Sequence, residues 1–315
     1  EILGAKDFFS FGTKLLFGSV AKVEMPVNRM TAKVKRNAKK YSDTAIFYYG
    51  RSGSEGADLT EENLRLTKEE RAVLDYVTRE YRHVIVVFNV ANMPEMGWLE
   101  EYDTIDAALM IGIPGTVGMQ AVADVLAGKV NPSGRLTDTI AYQVEDHPSS
   151  ANFGNYRYPG TLKTYIEYQE SIYVGYRYFE TFAPEKVQYP FGYGMSYTTF
   201  AQKITSAEEK DGVVNFEVEV TNTGDTYAGK DVIQLYCETP YTPGGTEKSK
   251  VVLCAFEKTA LLQPGETGTY SLSVALEDVA SYDETAANGN GAYVLDAGDY
   301  AFYLSENAHS WSVID

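Results

Sequence analysis

The residues of this chain best placed to do chemistry lie in one glycine-rich stretch, GRSGSEGADLTEENLRL, from Gly50 to Leu66. Glu55 stands there among Gly50, Gly53 and Gly56, with Arg51 before it and Asp58 after it. What this offers is a carboxyl group, ionised or proton-bearing according to its surroundings, on a backbone that glycine frees to take conformations closed to other residues. Taken alone, a glutamate in such a loop is most often a solvated surface charge. Position gives it more weight. The apolar run Thr44–Gly50 precedes it and reads as a buried strand, and loops leaving the carboxyl ends of parallel strands are where open α/β sheets hold their ligands.

The elements that must position this loop follow from periodicity. MTAKVKRNAKKY, residues 30–41, carries helix formers with cations toward its end and predicts a short helix before the first strand. Thr67 with Glu70 three residues on makes a capping box, and Val73, Leu74, Val77 and Tyr81 share one helical face over 68–82. HVIVVFNVA, residues 83–91, is a continuous β-branched run of the kind found in parallel strands. A short helix near Trp98–Tyr102, an apolar run Ile105–Ile113 and a helix near Val117–Leu126 complete a β-α-β-α-β-α order, which requires a parallel sheet flanked by helices. NPSGRL at Asn131–Leu136 is turn chemistry leading into a short strand near 136–140. Beyond it, seven tyrosines fall between Tyr156 and Tyr178, suited to an interdomain seam more than to a sugar-stacking wall.

Past Phe200 the hydrophobic period becomes two, at Val214–Val220, Tyr270–Leu276 and Tyr300–Leu304, with turn signals between, the pattern of a β-sandwich. The expected organisation is an α/β domain over 1–200, a three-layer sandwich with a mostly parallel sheet, then an all-β immunoglobulin or fibronectin type III-like sandwich over 201–315. Residues 141–200 read as an aromatic-rich linker. The first 30 residues show neither clean helical nor clean strand periodicity, and residues 1–43 fit the α/β domain poorly, as if it were truncated.

Composition excludes several classes. The chain has 315 residues, a net charge of −17 and 44 acidic against 27 basic side chains, so nucleic acid and anionic membrane surfaces are not expected partners, whereas neutral ligands such as sugars are compatible. Cys237 and Cys254, both in apolar surroundings, suit core positions rather than a disulfide framework or zinc site, a usage that leans cytoplasmic. No stretch reaches the ~18 uninterrupted apolar residues of a membrane span, and the first residues lack a signal-peptide layout. His83, His147 and His309 are scattered without ligand spacing, so no metal is expected. Ser52, Ser54 and Ser133 lack evident triad partners, and Gly50, Gly53 and Gly56 do not form a nucleotide-binding fingerprint, so no cofactor is called for.

Several separated motifs agree in order with one family. SEGAD at Ser54–Asp58, PGTVG at Pro114–Gly118 leading to ADVL at Ala123–Leu126, NPSGRL at Asn131–Leu136, YVGYRYF at Tyr173–Phe179 and PFGYGMSYTTF at Pro190–Phe200 resemble glycoside hydrolase family 3. VTNTG at Val220–Gly224, VIQLY at Val232–Tyr236 and LQPGET at Leu262–Thr267 resemble the fibronectin type III-like domain that accompanies it. The resemblance implies part of a retaining, exo-acting β-glycosidase, β-glucosidase-like or β-xylosidase-like, that cleaves terminal sugars from oligosaccharides or glycosides. In such enzymes a TIM-barrel domain supplies an aspartate nucleophile, and the loop resembling Ser54–Asp58 supplies the general acid/base, which falls on Glu55. No barrel-length run of βα units is present in this chain, so the partner it implies is a barrel domain or chain. Asp58 and Arg51 are expected near the substrate. In many relatives a basic residue follows the aspartate matched by Asp58; Leu59 does so here, and Arg51 is the substitute. Ordinary loop chemistry offers the plainer readings that Asp58 forms an Asx-type turn and Arg51 is a surface cation. The alternative function is a non-catalytic carbohydrate-contacting or scaffolding module without the nucleophile domain.

Overall fold

A computed structural model of the chain describes residues 24–51, 59–151, 153, 156–165 and 167–310, which group into two units. One holds the residues up to Ala123 with Tyr142–Val144, the other Asp124–Ala141 with the residues from Glu145 onward.

In the first unit, helix α1 (Ala32–Tyr41) starts where the Thr31 hydroxyl accepts from the Val34 N–H at 3.3 Å and ends on Lys39 and Lys40, as cations at a helix C-terminus should. Strands β1 (Thr44–Gly50), β2 (His83–Asn89) and β3 (Ile105–Met110) form a parallel sheet in the order β1-β2-β3. Thr44 pairs with His83 and Gly50 with Asn89, so the carboxyl ends of β1 and β2 are level. Helix α2 (Lys68–Glu80) makes the β1–β2 crossover, and its predicted capping box is complete: the Thr67 hydroxyl accepts from Glu70 N–H while the Glu70 carboxylate accepts from Thr67 N–H. It packs on both strands and buries Val73 and Leu74.

Burial along β1 alternates: Phe47 and Tyr49 are inside, Ile46 and Tyr48 exposed, so the run reads as half-buried rather than covered on both faces. Trp98, in a 3-10 turn over Gly97–Glu101, fills the inner face, with its ring 6.2, 6.2 and 5.8 Å from those of Phe47, Tyr49 and Phe88. Helix α3 (Gly115–Leu126) follows β3.

In the second unit, β4 (Ile140–Ala141) pairs with β5 (Val187–Tyr189), and helix α4 (Tyr176–Phe182) lies between them in sequence, burying Phe179 against Ala141 and Ala183. The sandwich consists of two antiparallel sheets. Strands β6 (Phe200–Lys210), β7 (Val213–Asn222) and β10 (Thr267–Ala275) form one, in the order β10-β7-β6; β8 (Val232–Glu238), β9 (Val252–Lys258) and β13 (Ala301–Leu304) form the other, in the order β13-β8-β9. Between them in sequence, β11 (Ser281–Asp283) and β12 (Ala292–Val294) make a separate ladder. Phe216, Val218, Val220, Leu272 and Val274 meet Ile233, Leu235 and Cys237 in the core. Burial pushes both cysteine thiols up to about 12, consistent with core residues.

Residues 124–141 and 145–200, expected with the α/β domain, group with the sandwich, and specific polar anchors account for this. Arg135 donates to the Asp231 carboxylate at 2.5 Å and to Gly194 O at 2.8 Å, while the Asn131 amide donates to Ala228 O at 3.1 Å. From the tyrosine-rich stretch, Tyr176 stacks on Phe191 with centroids 4.7 Å apart, and its hydroxyl accepts from Leu253 N–H. Tyr176 thus packs inside the second unit rather than at a seam between units, whereas Tyr168 is exposed.

Candidate functional site

Of the three residues expected at the site, Glu55 and Asp58 lie outside the described residues, as do Ser52 and Ser54. The structure describes both ends of their loop, Arg51 on one side and Leu59 onward on the other. The N-terminal end extends the ladder: Arg51 N–H donates to Asn89 O at 3.1 Å, just as Ile111 N–H donates to Phe88 O at 2.9 Å at the neighbouring strand end. The loop thus leaves the carboxyl rim of the parallel sheet, as the alternation of elements predicted.

Arg51 is not where a substrate ligand or a surface cation belongs. It is 2% exposed, and all five guanidinium N–H groups are taken by the protein. Nε donates to Asn63 O at 2.6 Å; Nη1 to Gly50 O at 2.9 Å and Glu70 Oε1 at 2.7 Å; Nη2 to Arg65 O at 2.6 Å and Glu70 Oε2 at 2.8 Å. The guanidinium carbon sits 3.7 Å from the centroid of the Tyr49 ring, adding a cation–π contact. Since guanidinium has five donors and no more, none is left for a ligand. The expectation of Arg51 at the substrate is corrected on that ground: one carboxylate and three carbonyls draw its side chain into the fold.

Glu70 is the residue that sequence reading placed only as a helix cap. It is 6% exposed, accepts both arms of the Arg51 fork and also accepts from Thr67 N–H. Burial pushes its carboxyl up, but the Arg51 fork and the Thr67 N–H outweigh burial and hold it below the ordinary carboxylate value. The returning arm of the loop is fixed by the same cluster. Tyr49 Oη donates to Leu64 O at 3.2 Å, Glu95 N–H donates to Leu64 O at 2.9 Å, and Arg65 pairs with Glu95 at 3.1 Å. Trp98 Nε1 donates to Glu95 O at 2.8 Å, linking the loop's far end to the aromatic core. Asn92, just beyond β2 at the same rim, has a buried Oδ1 with no hydrogen-bond partner. Among the described residues no group of three or more His, Cys, Asp or Glu side chains is arranged to hold a metal, and no helix is long and apolar enough to cross a membrane.

A short parallel α/β sheet followed in sequence by a fibronectin-like sandwich defines a class of two-part chains, α/β then all-β. Comparison with known proteins narrows it. Residues 17–197 match the profile of the glycosyl hydrolase family 3 C-terminal domain, and residues 231–308 match the fibronectin type III-like domain. The chain belongs to glycosyl hydrolase family 3.

It is 40% identical over 290 residues to a β-glucosidase of Ruminococcus albus, an alignment covering 91% of this chain and 29% of that protein. It is 36% identical to β-glucosidase A of Butyrivibrio fibrisolvens, covering 89% of this chain and 38% of that protein. Among solved structures, a β-glucosidase from Paenibacillus barengoltzii superposes with a TM-score of 0.84 at 43% identity, over 94% of this chain and 32% of its own. The chain therefore spans about a third of the length of these relatives.

Proposed function

We propose that this chain is the acid/base-bearing part of a retaining, exo-acting β-glycosidase of the β-glucosidase type, with Glu55 as the proton donor and acceptor. The observation that supports the reading is that Arg51, three residues before the SEGAD motif, extends the carboxyl end of β1 in a member of glycosyl hydrolase family 3. Two carboxyl groups roughly 5 Å apart divide the work of retention. A nucleophilic carboxylate, supplied by a barrel domain, attacks the anomeric carbon and forms a glycosyl ester while Glu55 gives its proton to the departing oxygen. Glu55, now ionised, takes a proton from water as that water attacks the anomeric carbon and releases the nucleophile. A carboxyl serving both steps near neutral pH must be raised by desolvation and by the neighbouring negative charge, both of which come from closure of the barrel over the loop. In this reading Asp58 is a substrate-binding residue.

The test is made with the nucleophile-bearing barrel supplied in cis or in trans. Glu55→Ala should lower turnover of alkyl and disaccharide substrates by about 10²–10⁴, the range general acid–base catalysis contributes. Azide should restore much of it on substrates with activated leaving groups, giving a glycosyl azide of retained configuration. Near wild-type turnover and pH–rate behaviour in Glu55→Ala would leave only a scaffolding or sugar-contacting role.

A further inference from the structure

We infer that Arg51 and Glu70 are positioning residues for the reaction proposed above: a buried clamp that fixes both ends of the rim loop and so sets where its acid/base carboxyl stands. The inference rests on the Glu55 reading, and it changes the role of Arg51 from ligand to support.

Three observations carry it. The donors of Arg51 are divided between the two ends of the loop, one to Gly50 O at its start and two to Asn63 O and Arg65 O at its return, at 2.9, 2.6 and 2.6 Å. The remaining two form a fork on Glu70, which is itself locked to the first turn of α2 through the capping box. Both side chains are enclosed, with 0% and 8% of their side-chain surfaces exposed, so water cannot take over these bonds.

A fork–fork pair fixes direction as well as distance, and lysine supplies neither the plane nor the five donors. The charges are also too well enclosed for the pair to be a surface decoration. Glycine-rich sequence on the loop supplies freedom; the clamp removes it at the two points where the loop joins rigid elements. A proton donor must be held to well within 1 Å of its productive position, because misplacement on that scale costs on the order of 10²-fold.

The prediction is therefore a selective loss. When the donor is misplaced, substrates that need protonation of the leaving oxygen suffer, while those with a strongly acidic phenol as leaving group do not. Arg51→Lys and Glu70→Gln are to be compared with Glu55→Gln and wild type in the barrel-containing enzyme, on phenyl and dinitrophenyl β-glucosides. Glu70→Gln retains a side chain able to complete the helix cap, so it serves if Arg51→Lys does not fold.

For both clamp variants we expect the ratio of kcat/KM for dinitrophenyl over phenyl glucoside to rise at least tenfold, with a weaker pH dependence on the phenyl substrate. A ratio unchanged in the clamp variants but raised in Glu55→Gln would overturn the clamp and leave the acid/base reading standing. A ratio unchanged in Glu55→Gln as well would remove the acid/base reading, and the clamp with it. A merely structural role lowers activity on both substrates equally and leaves the ratio where it was.

Discussion

Arg51→Met in this chain isolates the energetic side of the clamp. Methionine keeps much of the arginine stem's volume and removes every donor, leaving the Glu70 carboxylate buried with only its bond from Thr67 N–H. Breaking a buried ion pair from one side costs ~3–5 kcal/mol, out of the ~5–15 kcal/mol that stabilises a typical domain. With a urea dependence of ~1–3 kcal/mol per molar, the midpoint should fall by at least about 1 M. Trp98 packs directly on Tyr49, whose ring faces the guanidinium, so its fluorescence reports unfolding of this unit; a Trp311→Phe background makes it the sole tryptophan.

The sign of the pH effect follows from Glu70, whose folded-state carboxyl lies below its ordinary value of 4.5. Its contribution is complete above that value and is lost as pH falls through the lower folded-state value. The deficit of Arg51→Met should therefore be full at pH 7 and shrink in acid. The double variant Arg51→Met/Glu70→Met should recover part of the loss, because the uncompensated charge is gone. A single-variant cost under about 1 kcal/mol, or one that stays constant on acidification, would refute the argument.

Three further outcomes are expected. Thr67→Ala should destabilise the first unit by about 1 kcal/mol in urea titration, and Thr67→Ser by much less, since only alanine lacks the capping oxygen. Gly192 has φ +83°, and a Cβ there would stand 2.1 Å from the Oε1 of Gln234, a buried side chain held by Glu306 O and Tyr236 Oη; Gly192→Ala should lower stability by at least about 2 kcal/mol, measured by thermal unfolding. With their thiols pushed up to about 12 by burial, Cys237 and Cys254 should react with a chromogenic disulfide reagent at pH 8 only slowly in the native protein and promptly in denaturant.

Local signals were the ones that could be read from sequence. The Thr67–Glu70 box, the apolar strands Thr44–Gly50 and His83–Asn89, and the alternation along Val213–Asn222 each depend on residues a few positions apart, and each is present in the structure. Strand β6 was not recognised, because as an edge strand it is mostly exposed and carries Ser206, Glu208, Glu209 and Lys210 where a core-facing pattern would show apolar residues. The signal that would have found it is Asp211-Gly212, both with positive φ, a two-residue hairpin turn joining β6 to β7.

At the site, the rim position of the loop followed from the βαβ order, but the pairing of Arg51 with Glu70 did not. Charged residues nineteen positions apart are by default solvated, and only the convergence of β1, the loop's return and the first turn of α2 makes burial favourable for both. The grouping of residues 124–141 and 145–200 with the sandwich depends in the same way on distant partners such as Arg135 and Asp231, which no periodicity relates.

Because one carboxylate both opens the crossover helix and receives the arginine at the strand's end, chimeras between relatives have a natural cutting rule. Exchanging the glycine-rich segment alone strands a guanidinium or an acid from a foreign parent. Transferring Gly50 through Glu70 as a single cassette carries the anchor, the turn and the first helical residues together, and the host then needs to match Tyr49 and Glu95, which contact it from outside.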